Sequence, residues 1–291
     1  MKFAESLFRH RQIEVDALSI HAVDCGEAGR PALLFLHGWP QDWSSFRHVM
    51  AALGDTHHAV AIDLPGIGRS LGRLPSNDKR TIANCVRQVI AALGLKRPTL
   101  VGHDIGGQIV FALLRGGADA LSAAVMMNIV VPGIEPWSQV VRNPRMFHFA
   151  FHAVAELPEL LVSGHQARYF DYFFDTLSRH RDGVGRDARR ACVAAYSRAD
   201  ALSTGFDWYR AFAQDEKDNV QAFGRAVDTP VLYLRGQHER GDIADYLKGL
   251  RDAGLRNLRG ELIVGSGHFA PDEAPAAVAA SIRNFVDALR A

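Results

Sequence analysis

"LVGHDIGGQIVFALL", residues 100–114, passes from an apolar strand pattern through a glycine-pinched turn into a helical pattern. Asp104 stands at the tip, with Gly102 and Gly106 two places to either side. A strand-to-helix turn this tight strains its apex residue and has no room for side chains at its flanks, so glycine is needed there. The apex side chain then projects at the carboxyl ends of the strands, where open α/β sheets bind ligands. The following helix points its positive end at the same spot. An aspartate that only caps the helix is the plainer alternative, but a cap rarely needs glycine on both flanks after an apolar strand. A nucleophile is the preferred reading of Asp104.

On either side of this turn the chain alternates strand and helix. "QIEVDALSIHAVDCG" reads as an antiparallel strand pair turning near Asp16. "PALLFLHG", "HAVAIDLPG", "PTLVGHD" and "LSAAVMMNIV" are short apolar runs that stop at glycine, proline or a polar residue. "KRTIANCVRQVIAALGL" and "QIVFALLRGGADAL" between them are helical. This rhythm predicts a mostly parallel central sheet covered by helices on both faces. From Pro132 to about Val227 the chain turns aromatic-rich and helical, and then "TPVLYLRG", "GELIVGSGH" and a closing amphipathic helix resume the pattern. The expectation is an α/β core of residues 1–131 and 228–291 with an inserted α-helical cap, residues 132–227.

An aspartate at the apex is already an anion at neutral pH and needs no base for its first step. It can open an epoxide or displace a halide at a saturated carbon, giving an ester of Asp104. Serine would leave an ether there, which water does not readily cleave. Water can attack the carbonyl carbon of the ester while backbone donors hold the developing charge. "FLHGWP" offers the N–H of Trp39 as one such donor, with that of Ile105 as the second, and His37 is read as a buttress of its loop. "IVGSGHFAPDE" places His268 just after the last strand, where a base serving this edge would sit. The acid that orients it is sought in "GQHERGDIADYL": Asp242 looks like a helix N-cap, which leaves Glu239 as the choice. At the other available place, the end of the strand before the insert, stands Asn128, whose amide can orient an imidazole but not compensate its charge.

Composition sets the remaining bounds. The 291 residues are 48% hydrophobic and 22% charged with a net charge of +1, so neither nucleic acid nor an anionic membrane is expected as principal partner. No stretch reaches a membrane-spanning length of uninterrupted apolar residues. Cys25, Cys85 and Cys192 are odd in number and scattered, as reduced thiols are, and no secretory pattern leads the chain, so the expected location is cytoplasmic. "PGIGRS" lacks the glycine spacing of a dinucleotide site, and His57-His58 has no accompanying ligand pattern, so no cofactor and no metal are expected.

Taken together, "HGWP", "AIDLPGIGRS", "GHDIGG" and "GSGHFAPDE" resemble the α/β-hydrolase fold epoxide hydrolases over essentially the whole chain. "MFHFAFHAVAELPELLVSG" and "FDWYRAF" are similar to the cap of the bacterial Cif-type branch. The resemblance implies two cap donors that grip the epoxide oxygen, at His148 and Tyr209. It also exposes a departure, since Cif-type enzymes usually carry an acid where Asn128 stands.

The expected reaction follows. A neutral epoxide is opened to a vicinal diol through an Asp104 ester, hydrolysed by water that His268, oriented by Glu239, activates. The partners are the small-molecule epoxide and water, with a homodimer left open. A haloalkane or haloacid dehalogenase with the same Asp-His machinery is the enzymatic alternative. Haloalkane dehalogenases, however, usually have Trp after the nucleophile and Asn after the His-Gly pair, where this chain has Ile105 and Trp39. Fluoroacetate dehalogenases carry arginines where it has Ile105 and Gln108. A catalytically silent fold acting as a small-molecule receptor is the third reading.

Overall fold

Alternation along the inner strands decides the architecture. On the strand Ala32–Leu36, Leu34 and Leu36 face one hydrophobic cluster while Leu33 and Phe35 face another. Period-two burial on both faces requires a layer of helices on each side. The computed structural model describes residues 7–117 and 121–290. In it eight strands form one sheet: β1 (Arg9–Val15), β2 (Leu18–Cys25), β3 (Ala32–Leu36), β4 (His58–Ile62), β5 (Thr99–His103), β6 (Ala123–Met127), β7 (Val231–Gly236) and β8 (Leu258–Ile263). Their order is β1-β2-β4-β3-β5-β6-β7-β8. The pairs β1/β2 and β2/β4 are antiparallel, and every pair from β4 to β8 is parallel.

Helices Lys79–Ala92 and Ile105–Arg115 cover one face through residues such as Ile82, Val86 and Ile109. Helices Arg47–Leu53 and Pro275–Ala288 cover the other through Val49, Met50, Ile282 and Phe285. The helix after β5 is shorter than the apolar pattern of residues 108–121 predicts. It stops at Arg115 against Gly116, and residues 118–120 of that pattern lie outside the described residues.

Between β6 and β7 the chain forms only helices, the longest being Gln166–Leu177 and Ala199–Arg210. These rest on the loops at the carboxyl ends of the strands. The Trp208 ring lies 6.3 Å from His37, and Trp39 is ringed by His148, His152, Phe173 and Tyr209. Two polar contacts, the second of them buried, tie Ala199–Arg210 to the sheet side. Arg198 donates to the carbonyl oxygens of Gly66 and Gly68, and Lys79 Nζ donates to Trp208 O at 2.5 Å and to Asp215 at 2.7 Å. Among the described residues no helix is long and apolar enough to cross a membrane.

Candidate active site

The turn after β5 is closed by close approach. A Cβ on Gly102 would lie 2.3 Å from the carbonyl oxygen of Gly106, and one on Gly106 would lie 2.1 Å from that of Leu36. Neither contact is tolerable, so both flanks must be glycine. Asp104 itself has φ 50°, a conformation costly for a residue with a side chain, held by its N–H to Met127 O at 3.0 Å. It starts the helix, yet its side chain caps nothing there. Oδ2 instead accepts the backbone N–H of Trp39 at 2.9 Å, while the nearby N–H of Ile105 adds to the field that favours the anion. Burial raises the Asp104 pKa, against the pull of His268 and of these two N–H groups.

His37 holds the Trp39 loop from below, with Nδ1 on Gly38 O and Nε2 accepting the N–H of Leu64. The Trp39–Pro40 bond is cis. His268 follows β8 with its Nε2 3.9 Å from Asp104 Oδ1 and its Nδ1 2.9 Å from Glu239 Oε1. The gap on the Asp104 side is too wide for a hydrogen bond. Side chains of Asp104 and His268 keep 20% and 14% of their surface accessible. Burial lowers the His268 pKa, but the hydrogen bond and charge of Glu239, with Asp104, carry it above the ordinary histidine value.

Glu239 and Asp242 part company here. Asp242 accepts the N–H of Ala244 and caps the helix Ile243–Asp252. Glu239 faces the imidazole. Burial would raise its pKa, and Arg235, His268 and Asn128 together bring it down to about 2.

Asn128 differs from expectation. It makes no hydrogen bond to the imidazole; Nδ2 donates to Glu239 Oε2 and more weakly to Gly267 O at 3.3 Å. It sits at φ 51°, which asparagine tolerates better than most residues.

Four supports were missed from sequence. Arg235, 2% exposed, reaches Glu239 Oε2 at 3.3 Å. His103 Nε2 meets His268 O at 2.8 Å, and burial drives its pKa to about 3, so the neutral ring is the donor. Glu273 accepts the N–H of Gly267 and of Phe269, gripping the His268 loop on both sides. Asn128 is the fourth, in the role just described. "APDE", which ends at Glu273 five residues beyond His268, is the one local signal among these, an acidic first turn beside the backbone N–H groups of the His268 loop.

Above Asp104 the helical insert presents an aromatic wall. His148 and Tyr209, 5% and 4% exposed, lie with ring centres 5.6 Å apart, and both pack on Trp39. Burial and then Asp104 push the Tyr209 phenol well above its usual pKa, so it stays protonated. Burial and then His268 bring His148 down to about 3, leaving a neutral ring with one N–H. His148 Nδ1 has no hydrogen-bond partner among the described residues.

A strained acidic turn residue, a backbone donor on it and a histidine–carboxylate pair over it stand together at the carboxyl ends of the strands of an α/β sheet. Comparison with known proteins agrees with the fold: residues 31–275 match the alpha/beta hydrolase fold family, and the chain belongs to it. It is 28% identical to the "Soluble epoxide hydrolase" of Corynebacterium sp. (strain C12), over 97% of this chain and 98% of that one. Among solved structures it resembles Cfl2 from Burkholderia cenocepacia, with TM-score 0.87, 28% identity and coverage of 96% and 95% of the two chains. It also resembles the epoxide hydrolase CorEH, with TM-score 0.86, 25% identity and coverage of 97% and 99%.

Proposed function

We propose that this chain is an epoxide hydrolase that opens a neutral epoxide to a vicinal diol by way of an ester on Asp104. The observation that carries the reading is the placement of Asp104 between two backbone N–H groups and His268, with Glu239 on the far side of the imidazole. Epoxide hydrolase relatives over nearly the full chain support the substrate class.

Asp104 Oδ1 attacks a ring carbon; the C–O bond of the epoxide breaks and its oxygen takes the electron pair. That alkoxide is more basic than a phenolate, so the Tyr209 hydroxyl donates to it, with the His148 N–H as a second hydrogen bond. Asp104 Oδ2 becomes the ester carbonyl oxygen and already accepts the N–H of Trp39. Water between His268 and the ester gives its proton to Nε2 and attacks the carbonyl carbon. The charge on the former Oδ2 is held by Trp39 and Ile105, and Glu239 stabilises the imidazolium. The acyl C–O bond then breaks as the departing oxygen takes the remaining proton of the added water, the His268 imidazolium returns its proton to Tyr209 through solvent, and the diol leaves with one oxygen that began on Asp104.

Residues 132–227 act as the cap in this scheme, and the cap similarity favours the Cif-type branch. The haloacid alternative is disfavoured because Gln108 is buried with its amide N–H on Val130 O and brings no positive charge to a carboxylate. Three free, buried cysteines suit a cytoplasmic location.

A single turnover in heavy-oxygen water tests the reading. The first diol should be unlabelled, with the label appearing in the peptide that contains Asp104. Label entering the first diol directly, with that peptide unchanged, overturns the ester route.

A further inference from the structure

His268 stands between two carboxylates, Asp104 on the side of Nε2 and Glu239 at Nδ1. Two anions around one imidazole favour its protonated form, which cannot act as a base. Something must offset them. Resting on the reading above, we propose that Arg235 is a positioning residue that grips Glu239 on the side away from His268, spends part of that carboxylate's charge, and so leaves His268 free to accept a proton from water.

The geometry is specific. Arg235 lies on β7, four residues before Glu239, with its side chain 3% exposed. Its Nη1 is 3.3 Å from Glu239 Oε2, the oxygen that Asn128 also engages, while Oε1 is left to His268 Nδ1. The guanidinium lies 3.8 Å over the Tyr246 ring and donates to the hydroxyls of Tyr233 and Tyr246 and to Arg240 O. A planar fork fixed on three sides holds its positive charge against Glu239, where a neutral side chain supplies none.

Arg235 is the cation of this cluster. Facing His268 from β5 is His103, neutral because buried; from the helical insert come His148, also neutral, and Tyr209, held as a phenol. Tyr233 and Tyr246 carry no charge at neutral pH, their pKa values being raised by burial. Glu273 directs its carboxylate at backbone N–H groups of Gly267, Phe269 and Arg179, while a Cβ on Gly265 would meet the Arg179 side chain at 3.2 Å. Ester formation removes the Asp104 charge, so Arg235 and Glu239 then set the basicity of the imidazole for the second step.

The test is a direct titration of the His268 ring by NMR in the whole protein, with His268→Gln to assign the signal. Arg235→Met should raise the His268 pKa by about one unit or more. Arg235→Lys keeps the charge and should return most of that shift. Should the Met variant fail to fold, Arg235→Gln retains donors for Tyr246 and Arg240 O and carries the same expectation. An unchanged pKa in a folded variant without the charge overturns the proposal, as does a Lys variant shifted as far as the neutral ones. The titration needs no substrate, so its result stands apart from whether the substrate is an epoxide.

Discussion

Trp39 gives its backbone N–H to Asp104 Oδ2 over 2.9 Å, and in the proposed reaction this bond divides the work of the two carboxylate oxygens. Oδ2 is bound before any substrate arrives, in the place a carbonyl oxygen must occupy when water adds to the ester. Oδ1 lies on the side of His268 and is the oxygen that attacks in the proposed reaction. Donors fixed in advance cost no reorganisation when charge develops.

Separate sites for the two steps make them separable by mutation. His268→Gln should allow ester formation and block its hydrolysis, leaving a covalent adduct on the peptide containing Asp104. Mass analysis after a brief exposure to an epoxide reads this directly. Loss of turnover with no adduct in this variant counts against the Asp104 ester.

Glu239 and Asp242 lie three residues apart, and their contacts predict opposite outcomes. Glu239→Gln removes the charge that stabilises the imidazolium and should lower kcat about 10²–10⁴-fold. Asp242→Asn should leave kcat within a few-fold, because asparagine caps a helix about as well as aspartate. Steady-state rates of the two variants check both statements, and equal losses would mean that the carboxylate works only by holding the loop.

The strand-turn-helix around Asp104 was legible because its cause is local: two glycines are forced by backbone approaching backbone at Gly106 O and Leu36 O. The relation of Asp242 to its helix was legible for the same reason, since an N-cap acts over two or three residues. Asn128 was not. It meets Glu239 across 111 residues of sequence, and only the pairing of β6 with β7 brings them together. Arg235 had the further disguise of lying in an apolar strand, where "VLYLRG" reads as core and the partner stacks from a later helix. Side chains whose meaning depends on sheet order are hidden from any reading that proceeds along the chain.

Tyr209→Phe keeps the ring packing against Trp39 and His148 but removes the proton. Ester formation should slow by about 10²-fold or more, while hydrolysis of ester already formed stays near the original rate. Rapid-quench measurement of adduct growth and decay separates the two. A Phe variant slowed equally in both phases would assign the hydroxyl to the architecture of the pocket instead of ring opening.

Asp272 links the site to stability. It accepts a hydrogen bond from Gln41 at 2.9 Å, and burial, with the neighbouring Asp42 and Glu273, raises its pKa to about 7 against the pull of Arg47. Burial and then Asp63 likewise raise Asp42 to about 6. A carboxyl whose pKa is higher folded than unfolded binds more protons in the native state between those two values. Stability contributed by Asp272 is therefore complete below pH 4 and is lost as pH rises toward 7. Asp272→Asn keeps an acceptor for Gln41, cannot ionise, and also relieves Asp42 of a like charge. Its Tm should exceed that of the parent by a few degrees at pH 8 and differ little at pH 4, by thermal denaturation at both values. An offset of the same size at both pH values would mean that Asp272 is equally charged in the folded and unfolded chain, and that Arg47 outweighs burial there.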